Sequence, residues 1–278
     1  MSSLRAILSI AVYTWREGIR KKTLIGFLIL SLLVIFGSTF MTSVMGGDIR
    51  TSGEVELDVE AKLIKDICVS AISIFGVLIT IFISASVVPT ELDNKVVYTV
   101  LSKPVQRSQY LLGKFLGVQF IVIVNLALMS MLFFVALYLR QQILPTLLLW
   151  STLLTYFQFL IVSSFTFAIS CTSTSSVLPT IGGLFIFLVG NLTEYVKDVA
   201  IRAEQSTRLI DDVIRYIAIG LSSVLPNLRR FDLKEQILYL APNDPPSDII
   251  IPNLIAYGLV NAAAGYVLAY WLFRRKEL

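Results

Sequence analysis

One charged, turn-rich stretch separates two long apolar runs in the first half of this chain. Glu91, Asp93, Lys95, Lys103, Arg107 and Lys114 lie within ELDNKVVYTVLSKPVQRSQYLLGK, residues 91–114. The chemistry open to such a set is charge pairing. Glu91, at the edge of an apolar run, can pair with a nearby base and fix the shape of the segment. Catalysis is poorly supplied. There is no histidine, which removes His-based triads, HExxH zinc sites and most proton relays. Gly113-Lys114 imitates the end of a phosphate-binding loop. That motif needs a glycine five positions earlier and Ser or Thr after the lysine, and those positions hold Ser108 and Phe115. No catalytic, cofactor-binding or metal-binding residue is therefore expected.

The elements that position these charges are apolar. Ile67 to Thr90 is uncharged for 24 residues and Phe115 to Leu139 for 25. A helix needs about 20 apolar residues to cross a bilayer core, so residues 91–114 join two spans on one face. Four bases against two acids mark that face as cytoplasmic. Pro104 predicts a helical turn before Lys103 and a fresh start after it. Composition agrees: 56% of residues are hydrophobic, only 15% are charged, and the mean hydropathy is +0.79, against about a quarter charged in soluble domains. The net charge of +4 is no nucleic-acid signal, because topology explains it. Segments 1–22, 91–114 and 274–278, expected inside, hold 12 bases and 4 acids; 48–66, 140 and 194–248, expected outside, hold 11 and 15.

The fold class expected is an all-α integral membrane protein, a single transmembrane domain over 1–278. Residues 1–22 form an amphipathic helix lying on the membrane. Leu4, Ile7, Leu8, Ala11, Trp15 and Ile19 make its apolar face, and Arg5, Ser9, Arg16 and Arg20 the opposite one. Tyr13 and Trp15 suit the headgroup layer, and Arg20-Lys21-Lys22 closes the segment. Six spans follow: 23–47, 67–90, 115–139, 144–169, 177–193 and 249–273. Both termini are then cytoplasmic in a multi-pass protein of the plasma (inner) membrane. The first apolar run exceeds the usual core of a cleaved signal. The acidic stretch 48–66 reads as a solvated outer loop rather than a strand or cation site. Residues 170–176 (SCTSTSS) read as a polar cytoplasmic turn, and Arg140-Gln141-Gln142 as a tight outer one. Glu194–Lys197 and Asp198–Arg202 are spaced as helical ion pairs, so the fifth span is expected to extend outward. A second amphipathic helix follows it, and Ile217–Leu225 is short enough to dip back into the outer leaflet. Cys68 and Cys171, at opposite membrane faces, are too far apart for a disulfide and read as small packing residues.

No acid or base falls in the middle of a span, which argues against proton coupling. The polar exceptions are Asn125, Gln158, Asn191 and Asn261, with Ser163, Ser164 and Thr166. Intramembrane amides usually bond helix to helix; Asn125, Gln158, Ser163 and Asn261 are also candidates to line a path. Gly113 and Gly117, four apart, predict a close helix–helix approach.

One family matches the order of residues between the second and third spans. Glu91, then Leu101, Ser102, Lys103 and Pro104, then Arg107, then Tyr110, Gly113 and Lys114, resembles the permease subunit of type-2 ABC exporters. Thr14-Trp15-Arg16-Glu17, the stretch LPNLRRFD at 225–232 and the closing WLFRRKEL resemble other parts of the same family. The resemblance implies that 91–114 is a cytoplasmic coupling loop docking on a separate ATP-binding cassette ATPase through Glu91, Leu101, Ser102, Lys103, Pro104, Arg107, Tyr110 and Lys114. The opening helix would be an interface helix touching that ATPase. It implies short extracellular helices within 194–248, a second permease copy as homodimer or heterodimer, and ATP and Mg held by the partner, none by this chain. The lipid bilayer is the other partner, and no nucleic acid is. Two alternatives stand beside it: a mechanical relay that drives a periplasmic partner through 194–248 without moving a substrate, and, more remotely, a membrane-embedded enzyme.

Overall fold

The computed structural model describes residues 3–45, 53–94, 106–141, 146–203, 226–232 and 251–275. Among them are seven α-helices and no strand: α1 Ser3–Ile19, α2 Lys22–Met45, α3 Gly53–Asp93, α4 Arg107–Gln141, α5 Thr146–Thr172, α6 Val177–Ala203 and α7 Ile251–Arg274. A 3₁₀ turn, Arg229–Phe231, lies between α6 and α7. Four helical stretches are long and apolar enough to cross a membrane: Lys65–Asp93, Arg107–Val135, Leu148–Thr172 and Ile251–Arg274. Shorter apolar stretches run over Ile25–Gly37 and Val177–Thr193.

Several helices reach further than the apolar runs. α3 is 41 residues long and starts at Gly53, so the expected loop over 48–66 is helical through most of its length. Between Gly53 and Gly76 the sequence holds no glycine or proline, so nothing there interrupts a helix. α6 runs on to Ala203, the outward extension that the charge spacing predicts. The polar turn after α5 falls at Ser173–Ser176, where the Ser173 hydroxyl donates to the Ser175 carbonyl at 2.5 Å. Arg140 and Gln141, expected in a tight turn, are the last residues of α4; the amphipathic stretch 204–225 and residues 142–145 and 233–250 lie outside the described residues.

Small residues decide how the helices approach. A Cβ at Gly113 would stand 2.8 Å from Ile10 Cβ and 2.9 Å from the Ile7 carbonyl oxygen. One at Gly117 would stand 2.6 Å from Thr14 Cβ and 2.8 Å from the Ala11 carbonyl oxygen. Gly18 in turn faces Ile121. These contacts advance together along both chains, so α1 runs parallel to the first turns of α4. The face expected to be apolar is thereby divided. Ile7, Ile10, Ala11, Thr14 and Gly18 meet α4, while Leu4, Leu8, Val12 and Ile19 stay exposed, and Arg5, Arg16 and Arg20 are exposed on a third side. At Arg20-Lys21 the helix breaks and α2 leaves α4 to pack mainly on α3, with Phe27 and Phe82 5.3 Å apart.

α5 and α7 form the most extensive helix pair. The buried positions of α7 are Gly258, Ala262, Gly265, Ala269 and Phe273; Gly258 meets the Phe157 ring and Gly265 meets Ser164. At the end of the bundle away from the α3–α4 connection, Pro226–Asp232 is tucked against α5, α6 and α7. The Leu228 N–H donates to the Gly190 carbonyl at 3.1 Å. The Asn227 N–H donates to the Tyr257 hydroxyl at 2.9 Å. Phe231 is buried with its ring 6.1 Å from Tyr257. Cys68 and Cys171 are both buried thiols.

Candidate functional site

Where α3 ends and α4 begins, a charged cluster lies inside the protein. Glu91 is two residues from the end of α3, and Tyr110 and Lys114 sit one turn apart on the same face of α4. The Lys114 ammonium pairs with Glu91 Oε1, and the Tyr110 hydroxyl donates to Glu91 Oε2 at 2.5 Å. Both carboxylate oxygens are thus occupied, by an ion and by a neutral donor. Exposure is 2% for Glu91, 1% for Lys114 and 0% for Tyr110.

Two more helices close around this pair. From α1, Glu17 places Oε2 4.0 Å from the Lys114 ammonium, and the Tyr13 ring lies 5.2 Å from it. From α7, Phe273 stacks on the Tyr110 ring at 5.9 Å and is fully buried. Beside the cluster, at the α1–α2 break, the Lys21 ammonium donates to Ser86 of α3 at 2.8 Å. Burial pushes the Lys21 pKa down. Glu17 opposes that shift, the Lys114 charge adds to it, and Glu91 opposes it less strongly. Two carboxylates and two ammonium groups therefore share a small volume where α1, α3, α4 and α7 converge. A buried pair of this kind gains little net stability from its own attraction, but losing one partner strands a charge, at a cost of about 3–5 kcal/mol. The cluster acts as a brace that fixes how the four helix ends sit together.

The residues expected at a docking surface separate into three groups. Glu91, Tyr110 and Lys114 are buried in the chain and bonded to one another. Arg107 is exposed in the first turn of α4. Leu101, Ser102, Lys103 and Pro104 lie outside the described residues. Gly113 and Gly117 do make a close helix approach, and their partner is α1.

Each candidate path residue has a hydrogen-bond partner within the protein. Asn125 and Asn261 each donate to a carbonyl one turn back in their own helix, Ile121 and Tyr257, both at 2.8 Å. Ser163 accepts from the Gln119 amide at 2.7 Å. Gln158 donates to Asn191 at 3.2 Å and lines a cavity of about 20 Å³ with Ser73, Ser151, Thr155 and Asp232, room for about one water molecule.

Sequence reasoning missed Glu17, Tyr13 and Phe273 as members of the cluster, and Gln119 as the partner of Ser163. Glu17 carried a faint signal, as the single acid in a helix of arginines. Nothing in the spacing could tie Phe273 to Tyr110.

A bundle of long apolar helices, with charges towards the helix ends and held by small-residue contacts, is a multi-pass membrane protein. Residues 8–278 match the family of ABC-2 family transporter proteins, and the chain belongs to that family, which comprises the membrane permease subunits of ABC transporters. No curated protein matches it. The resemblance seen between residues 91 and 114 therefore extends over nearly the whole chain.

Proposed function

We propose that this chain is the membrane subunit of an ATP-driven exporter, in which motion imposed on residues 91–114 by a separate ATPase is passed to the spanning helices. The observation that carries this reading is the brace of Glu91, Tyr110 and Lys114. It stands at both ends of the 95–105 connection, and it grips α1 and α7 as well as α3 and α4. Glu91 precedes that connection and Tyr110 and Lys114 follow it, so a displacement of either flank reaches side chains that are buried and bonded to one another. In this reading Arg107 and the residues 101–104 meet the partner, while Glu91, Tyr110 and Lys114 transmit. ATP and Mg bind to the partner. Two permease copies enclose the path, and six spans place both termini in the cytoplasm of an inner-membrane protein.

The test is ATP turnover by the assembled complex in vesicles. Arg107→Ala should lower the turnover that the membrane subunit stimulates, while the subunit remains assembled with its ATPase. The paired variant Glu91→Gln/Lys114→Met should also assemble and also turn over more slowly, because it relaxes the brace while removing both charges of the buried Glu91–Lys114 pair. Full turnover in both assembled variants would refute the coupling role.

A further inference from the structure

We propose that the corner between α1 and α2 binds the headgroup of an anionic phospholipid. Arg16, Arg20 and Lys22 are all exposed there. The acid among them, Glu17, points the other way, with Oε2 4.0 Å from the buried Lys114 ammonium, so it does not neutralise the outer face. Lys21 is likewise turned inward, onto Ser86. Three cations therefore face outward at a break between two helices.

What lies beside them selects the occupant. The exposed apolar strip of α1, including Val12 and Ile19, borders the arginine side directly. Trp15 joins that strip to α4: its ring stands edge-on to Phe120 at 5.4 Å, and Phe120 is itself 49% exposed. Phe120 belongs to the uncharged run 115–139, little more than one helical turn from its charged end, so this part of the surface lies where acyl chains meet headgroups. A cationic corner continuous with a lipid-covered apolar strip matches one molecule at both ends: a phospholipid with a net negative headgroup. Amphipathic helices with basic polar faces bind anionic membranes by the same combination. The inference rests on the chain spanning a membrane and is independent of any ATPase.

Trp15 supplies a reporter at the site. The chain has three tryptophans; Trp150→Phe/Trp271→Phe leaves Trp15 alone. The full chain is placed in phosphatidylcholine vesicles in which the brominated, fluorescence-quenching lipid is either phosphatidylglycerol or phosphatidylcholine. The brominated phosphatidylglycerol should quench with a relative association constant about tenfold higher, as a few basic side chains near a charged headgroup would produce. Arg16→Gln/Arg20→Gln/Lys22→Gln should bring the ratio close to one, and Arg16→Lys/Arg20→Lys should keep it high. If the neutral variant does not fold, salt decides on the unsubstituted corner: about 1 M KCl should erase the preference by screening. Equal quenching by both lipids at low salt overturns the proposal, as does a preference that survives neutralisation or high salt. It also falls if vesicles show no preference while the same three substitutions strip a protein partner from the purified chain; the corner is then a protein contact.

Discussion

The two ends of α7 are held by different physics. At Phe273 it joins a cluster in which Glu91, Tyr110, Lys114 and Glu17 bind helix to helix through charge. Towards Gly258 and Gly265 it meets α5 through the absence of side chains. The polar groups of that second region mostly look after themselves. Ser164 and Thr166 donate to carbonyls three or four residues back in α5, and Asn261 does the same in α7. A hydroxyl satisfied within its own helix leaves an outer surface that is apolar in effect, so α5 and α7 adhere by shape. Charge pairing has one good geometry and punishes departures; close packing of small residues tolerates small slides. Rigidity thus belongs to the charged end and adjustability to the α5–α7 contact, the division that the proposed coupling role requires.

The sharpest way to break this comparison is at Lys114. Lys114→Met should destabilise the chain by about 3–5 kcal/mol, because Glu91 is left buried without its cation. Reversible unfolding in mixed micelles measures it. Adding Glu91→Gln should restore part of that loss, since Glu91 is then neutral while Glu17 still lacks the Lys114 cation. A loss below about 1 kcal/mol in the single variant would mean that the charged end is no more rigid than the rest.

Next in size is overpacking of the small-residue contact. Gly265→Val should cost about 1–3 kcal/mol, as its side chain would run into Ser164, and the loss should appear as a lower Tm. The same substitution at Gly26, where no atom lies within reach of an added Cβ, should leave Tm unchanged or slightly raised.

A smaller effect is expected at Tyr257. Tyr257→Phe removes the acceptor for the Asn227 N–H and should cost about 1 kcal/mol. Hydrogen exchange at the Asn227 amide would speed up while exchange around Tyr110 stays slow. The smallest is Gln158→Leu, which deletes one interhelical bond to Asn191 and should cost about 0.6 kcal/mol. A much larger loss would show that this region, too, depends on polar locking.

Most of the helices were legible in the sequence because lipid-soluble helices need long uncharged runs, and such runs are visible by inspection. Gly113 and Gly117 were legible as a contact for the same kind of reason, since two small residues four apart leave a groove. What filled the groove was not, because α1 is amphipathic and reads equally well as a helix lying flat. The start of α3 was misread as a loop: acids alternating with apolar residues over 54–60 suggest no helix locally, yet the chain continues one.

The sequence by itself determined that this chain is helical, crosses a membrane and keeps its charges at helix ends, because hydrophobicity and charge act residue by residue along the chain. Only the tertiary structure decided which charges meet. Lys114 reads as one more basic residue beside a membrane until α3 brings Glu91 against it and α1 adds Glu17. Pairing of buried charges depends on distances between segments far apart in sequence, and those distances exist only once four helix ends have packed together.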